Sequence, residues 1–335
     1  MSDSLAKRAG APAALIGLVL VVVPSVLAYY DKGYFYQLAT LSLIYALLAS
    51  SLHLVTGAAG LLHLGQAAFY GVGAYVAALA GVHYGIPFIL GVPLAGIGAA
   101  LAAVLVALPT MRLVSIYFAV ATLAIGEMVY LVLLNWVGLT GGPNGVVMFS
   151  GIDLFGYDLG TRLGAYFAVA ITVSVSIWVI HRLTHSYYGN ALRALREDDQ
   201  CTDAMGIDTI RLKVGVFAIS AFFAGVAGAL WAYTTGYISP EDFSFSASIL
   251  ILAMVVVGGL GSLPGAIIGA LLLILLPEAL RGIGNLRNIT VGITMLSVII
   301  FLPRGLMGEV SALRFFRSRF ASAWPGSGTR KVGWR

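Results

Sequence analysis

The chain has 335 residues, of which 60% are apolar and only 10% are charged, with a net charge of +5. A water-soluble domain carries roughly 25% charged residues. An ordinary soluble enzyme, a nucleic-acid-binding domain and a disordered chain are therefore excluded, which leaves a polytopic helical membrane protein.

Residues 1–10 form a short N-terminal segment carrying Lys7 and Arg8. The first apolar run, 11–30, is long enough to span a bilayer, and no convincing small-residue cleavage site ends it. Further runs follow at 36–54, 66–84, 86–108, 113–134, 162–181, 213–235, 246–260, 264–280 and 285–303. The expected fold is thus an all-α membrane domain of about ten spans over 11–303, with a basic tail over 304–335. Fifteen of the 19 Lys and Arg residues fall on one side if both termini share that side, which is expected to be the cytoplasm. The tail, with its interleaved aromatics, reads as a segment lying on anionic membrane lipid.

The second and third runs are joined by Gly57 to Gly65, a stretch too apolar for an ordinary loop and too glycine-rich for a regular helix. Gly57, Gly60 and Gly65 punctuate it. Non-helical backbone at that depth must be buried in protein or face a cavity. Gly258, Gly259 and Gly261 interrupt the chain in the same way between the eighth and ninth runs. The two interruptions make a weak internal repeat, and broken helices in corresponding places are a transporter signature. His53 and His63 flank the first interruption and read as interhelical hydrogen-bonding groups.

In the fifth run, Glu127 lies at membrane depth, where a carboxylate costs roughly 2.5 kcal/mol or more. It is expected to be protonated, to pair with a neighbouring permease, to line a polar path together with Gln66, Tyr117 and Thr122, or to make a structural hydrogen bond between helices, for instance with Thr122. Asn144, in Thr140-Gly-Gly-Pro-Asn-Gly145, reads as a turn on the outer side. It is a candidate part of an outer mouth, as are Glu241 and Asp242 after Ser239-Pro240.

The one long charged segment, 182–213, lies between the sixth and seventh runs on the cytoplasmic side. Asn190 reads as the N-cap of a first short helix. Asp198 or Asp199 can cap a second, Gln200 to Met205, with Gly206 as its stop. Five acids, Glu197, Asp198, Asp199, Asp203 and Asp208, sit among its bases. Such a mixed, partly apolar surface suits a protein partner better than lipid.

This segment resembles the cytoplasmic coupling loop of ABC importer permeases, which reads close to Tyr-Gly-Arg-Ala-Leu-Arg-Ala-Ile-Arg-Glu-Asp-Glu and then Ala-Met-Gly. Here Asn190 stands where arginine is common, removing a charge, and Cys201-Thr-Asp203 stands where alanines are common. Matching stretches run from about residue 35 to 310. They are Leu54-Val-Thr-Gly-Ala-Ala-Gly60, Leu64-Gly-Gln-Ala-Ala-Phe69, Tyr117-Phe-Ala-Val-Ala-Thr-Leu123, Thr140 to Gly145, Gly236-Tyr-Ile-Ser-Pro240 and Gly258-Gly-Leu-Gly-Ser262. Gln66 replaces a frequent histidine. In this order the set resembles the LivM-type permease subunit of branched-chain amino acid importers.

The resemblance implies a machine of five parts: this chain, a homologous sister permease, two cytoplasmic ATPase chains and an extracytoplasmic binding protein. It implies import of Leu, Ile and Val across a bacterial-type inner membrane by alternating access. ATPase coupling would fall to Tyr188, Gly189, Ala191, Arg193, Arg196, Glu197, Asp198, Asp199, Met205 and Gly206. The chain holds no G-x-x-x-x-G-K-[ST] phosphate loop, so ATP and Mg are expected on the partner ATPases and no cofactor on this chain. No catalytic or metal-ligand constellation is legible, and the single cysteine, Cys201, cannot form an internal disulfide. Urea or short-amide importer permeases are alternatives on sequence alone. So is an ATP-independent channel, since broken helices occur there too.

Overall fold

A computed structural model describes residues 33–111, 115–148, 153–154, 157–158 and 162–279, with Gly292 and Leu306. The expected spans 11–30 and 285–303, the N-terminal segment and nearly all of the tail lie outside the described residues. Six helices are long and apolar enough to cross a membrane. They belong to α1 (Gly33–His53), α2 (Gln66–Tyr84), α3 (Phe88–Thr110), α4 (Ser115–Asn135), α6 (Arg162–Thr184) and α9 (Thr209–Thr235). The short α5 (Val137–Thr140) follows α4, and α10 (Phe245–Gly258) and α11 (Leu263–Ala279) are shorter apolar helices. Apart from the short α5, which no predicted run covers, each described helix of the membrane domain begins and ends within a few residues of the run the sequence predicts.

The segment between α6 and α9 folds into α7 (Tyr187–Glu197) and α8 (Asp199–Ala204). Two short helices are found where one or two are expected, with one correction. The first starts at Tyr187, after Ser186 in extended backbone, so Asn190 lies inside the helix and caps nothing. The second boundary stands as read: the Asp198 carboxylate accepts the Cys201 backbone N–H at 2.9 Å, and Gly206 follows in left-handed backbone.

Helix α9 is the axis of the domain. It packs against α1, α2 and α3, while α11 closes on α1 and α10. Side-chain size explains this arrangement. On α3, Ala95, Ala99, Ala103 and Ala107 recur every fourth residue and are all completely buried. They form a smooth ridge that admits α9 closely, since lipid gives apolar surfaces no reason to associate and close packing must supply the attraction. Gly225 of α9 sits where this ridge meets α2: a Cβ on Gly73 would strike its backbone, and a Cβ on Gly225 would stand 2.6 Å from the Ala95 carbonyl oxygen.

The connections separate into two ends. At one, β1 (Val146–Val147) pairs antiparallel with β4 (Tyr237–Ile238). A second small hairpin joins β2 (Asp153–Leu154) to β3 (Tyr157–Asp158). At the other end lie the Gly57–Gly65 segment, the α7–α8 pair and the turn after α10.

Replacing Gly73 with valine is expected to overpack the α2–α9 contact and to destabilise the protein by about 1–3 kcal/mol. Gly138→Ala, at a site with nothing nearby, is expected to leave it unchanged. The thermal midpoint of the detergent-solubilised protein checks both, and an unaltered midpoint for Gly73→Val contradicts the packing described.

Candidate functional site

The helix that begins as α1 does not end cleanly. After His53 it widens into a single π-helical turn, Leu54–Ala58, closed by hydrogen bonds from Ala59 N to Leu54 O (3.2 Å) and from Leu61 N to Val55 O (3.0 Å). Residues 59–65 then run without helix to the start of α2. The widening leaves the Gly57 carbonyl without a partner along the chain, and Arg196 supplies one: its guanidinium donates to Gly57 O at 2.9 Å. The aliphatic stem of Arg196 lies against Gly60, whose φ of +73° and lack of a Cβ allow the approach. A hydrogen bond from a charged donor is worth roughly 1.5–3 kcal/mol, and the exposure of Arg196 puts this one toward the lower end.

The other side of Gly57 meets the second interruption. A Cβ there would strike the His53 ring and the carbonyl oxygen of Leu260. Gly259 ends α10 at φ +112°, Gly261 lies in the turn that follows, and Gly258 and Gly265 bring α10 and α11 together backbone to backbone. The two glycine-rich interruptions, some two hundred residues apart in sequence, therefore touch, and an arginine of α7 is fastened to the point of contact.

The far end of the broken segment is buried in protein. Gly65 abuts the Thr122 carbonyl, and the Thr122 hydroxyl accepts from Leu64 N at 3.2 Å and donates to Ala119 O at 2.9 Å. The Gln66 amide donates to Ser51 Oγ (2.8 Å) and Ser220 Oγ (3.4 Å), and Ser248 of α10 accepts from Ala67 N at 3.0 Å. These bonds satisfy the start of α2 where water cannot reach. They correct two expectations. Thr122 does not bond Glu127, because the two lie on different faces of α4. The four path candidates are not gathered in one place either: Gln66 and Thr122 are core residues, whereas Tyr117 and Glu127 face outward. His53 and His63 also differ from the expectation. Both are buried, and among the described residues neither His53 Nδ1 nor either ring nitrogen of His63 has a hydrogen-bond partner. The His63 ring packs among Phe69, Phe118 and Phe217 instead.

Within α7 and α8 the charged residues divide into tethers and a free face. Arg193 donates to the Thr184 carbonyl at 3.1 Å, satisfying the end of α6. Gly189 lies against the same turn, where a side chain would collide with the Thr184 backbone. The hydroxyl of Tyr188 donates to Leu212 O at 3.4 Å, and its burial pushes its pKa up to about 12. Lys213 pairs with Asp199. These groups hold the loop onto the membrane domain; the sequence suggested that they point to a partner. Ala191 is half-buried. The outward face is made by Tyr187 (94% exposed) and Met205 (83% exposed), with Asn190, Ala194, Glu197 and Gly206 also exposed. Nothing in the local sequence singles out Tyr187, although Leu192 and Leu195, the buried pair, fix the helix phase that puts it outside.

At the opposite end, Asn144 ends a 3-10 turn, Gly142–Asn144, and its carbonyl accepts the Tyr237 hydroxyl at 3.1 Å. Asp242 accepts from Ser239 N at 3.1 Å, which closes a capping box, and Glu241 is exposed. The three candidate mouth residues thus share one end of the domain. Among the described residues, no cluster of three or more His, Cys, Asp or Glu could hold a metal ion.

Residues 34–302 match the family described as branched-chain amino acid transport system / permease component. The chain belongs to that family. It is 38% identical over 294 residues to the LivM permease protein of a high-affinity branched-chain amino acid transport system from Escherichia coli, covering 81% of this chain and 69% of that one. It is 30% identical over 201 residues to the LivH permease protein of the system of that name in E. coli, covering 56% and 62%. A probable LivM permease from Methanocaldococcus jannaschii is 26% identical over 246 residues, covering 65% and 70%. No solved structure matches the chain. It is therefore a multi-pass membrane permease subunit of the LivM type, a transporter component and not an enzyme, related also to a second, sister class of permease.

The geometry of the α7–α8 junction has a chemical readout. The negative charge of Asp198 and its hydrogen bond hold the exposed Cys201 thiol above its ordinary pKa, while the Cys201 backbone N–H holds the Asp198 carboxyl below its own. A raised thiol pKa means less thiolate at a given pH. Asp198→Asn, which can still cap the helix, is expected to speed maleimide labelling of this single cysteine near pH 7 and to shift the labelling profile to lower pH. An unshifted profile contradicts the contact.

Proposed function

We propose that this chain is one permease of an ATP-driven importer for Leu, Ile and Val, working by alternating access in a bacterial-type inner membrane with both termini in the cytoplasm. Ten spans cross the membrane, from 11–30 to 285–303, and the tail from 304 lies on lipid. A homologous sister permease completes the pathway. Two cytoplasmic ATPase chains bind ATP and Mg, and this chain binds neither. An extracytoplasmic binding protein delivers the amino acid to the end that carries Asn144, Glu241 and Asp242.

The observation that carries this reading is the placement of α7–α8. The pair is fastened to the membrane domain by Arg193, Tyr188 and Lys213 and to the glycine interruption by Arg196, while Tyr187 and Met205 stay bare on the opposite face. A rigid element with one side bonded to a broken helix and the other side open is what an ATPase needs in order to move the permease. Closure of the ATPase pair would press on Tyr187, Glu197 and Met205, and Arg196 would carry the displacement to Gly57 and, through the Gly57–Leu260 contact, to the second interruption. The branched-chain cargo is supported by the family match and by the names of the LivM and LivH relatives.

Leucine uptake and ATP hydrolysis, measured together on the assembled importer in proteoliposomes, test the reading. Arg196→Glu is expected to lower uptake at least tenfold while hydrolysis persists and the chain still inserts, and Arg193→Glu to act in the same direction. Normal coupled uptake in both variants contradicts the coupling role. Uptake of urea but not of leucine by the unmodified importer contradicts the cargo.

A further inference from the structure

Helix α4 has two unlike faces. Its inner face clasps the broken segment: Thr122 is bonded to Leu64, and Gly126 closes on Gly65. Its outer face is a stripe of Tyr117, Val120, Ala124, Glu127, Met128 and Leu131, all exposed and recurring every three or four residues. Only 22% of the spanning window of α4 is buried, against 67% for α9.

Bareness alone describes a helix that faces lipid, and α3 shows that case. Its exposed residues include Leu90, Leu94, Ile97, Leu101, Leu105 and Leu108, with no charge among them. The α4 stripe differs in carrying a carboxylate. Glu127 sits within about 3 Å, measured along the axis, of the middle of the 116–135 span. Half the hydrocarbon core is about 15 Å thick, so the side chain cannot reach a headgroup. No described residue of the chain bonds or pairs with it. Hydrocarbon offers a carboxylate no donor, so a polar group outside the described residues must cover this point. Ala124, one turn away, leaves room for another helix to approach closely.

We infer that the outer face of α4 is the seam with the sister permease, and that a hydrogen-bond donor or cation of that subunit meets Glu127 in the middle of the membrane. This rests on the importer reading and specifies which face the second permease covers. A second copy of this chain is the poorer occupant: packed about a two-fold axis on this stripe, it would bring two like-charged Glu127 side chains together, of which only one could ionise. A homologous but different chain is free to supply the donor, and the LivM and LivH relatives are two permeases carrying one system name in a single organism. The seam would also place the second permease on the helix whose inner face holds the broken segment.

The test uses the assembled importer in native membranes and a Cys201→Ser background. Val120→Cys, Ala124→Cys and Leu131→Cys on the stripe, and Leu101→Cys and Leu105→Cys on α3, each carry a benzophenone maleimide. Photolysis is expected to join the stripe positions, and not those on α3, to the sister permease. Adducts with lipid alone, with a second copy of this chain, or equally from α3 overturn the seam. So does labelling of all three stripe cysteines by a membrane-impermeant maleimide, which would assign the face to an aqueous path. Glu127→Gln is expected to keep co-purification of the sister permease in mild detergent, and Glu127→Leu to lower it at least tenfold with recovery of this chain unchanged. Undiminished co-purification for Glu127→Leu overturns the proposal. Absence of any second permease with the unmodified chain overturns the importer reading itself and the seam with it.

Discussion

A single hydrogen bond, from the Arg196 guanidinium to the Gly57 carbonyl, ties the α7–α8 pair to the broken segment of the membrane domain. Everything around it makes that bond necessary. A π-helical turn cannot satisfy its own last carbonyls, and Gly57 is buried, so the donor has to come from the protein. The glycines on either side let the arginine stem and the second interruption come close enough to share the position. The bond is thus both a structural requirement, since the carbonyl needs a donor, and a mechanical link, since the donor sits on an element that is otherwise external.

The rest of the domain is built to hold this point still or to move it as a unit. The alanine ridge of α3 and the glycines of α2 and α9 pack helices with almost no side chain between them. Such contacts are stiff because close-packed backbones have little room to deform. The interruptions are the opposite: short, non-helical, and held by a few hydrogen bonds from Thr122, Ser248 and Arg196. Stiff helices joined through soft, polar-stapled breaks localise any conformational change to the breaks, which is where the loop helices attach.

Much of the fold was legible in the sequence because the bilayer imposes one simple rule: an apolar run near twenty residues must be helical. The described runs begin and end close to the observed helices for that reason. The glycine breaks and the second loop helix, with its Asp198 cap and Gly206 stop, were legible too, because capping and breaking are local effects. What sequence could not resolve was direction. Arg193, Arg196, Tyr188 and Asp199 look like surface groups in a charged loop, yet each bonds inward, because carbonyls at the ends of α6 and of the π turn and the Lys213 ammonium lie within reach only once the chain is folded. Polarity alone groups Gln66 and Thr122 with Tyr117 and Glu127. Helix phase separates them, and in an α4 that is apolar nearly all round, hydrophobic periodicity carries almost no phase information. Tyr187 and Tyr188 are adjacent and alike in sequence, and only the burial of Leu192 and Leu195 decides which one faces out.

The central claim is that Arg196 holds the broken segment in place. Hydrogen exchange of the solubilised protein, followed by mass spectrometry on peptides covering residues 54–65, tests it most directly. With Arg196→Gln, the account predicts faster exchange of those amides and unchanged protection in α2, α3 and α9. Unaltered protection across 54–65, or a uniform loss of protection throughout the domain, would contradict it.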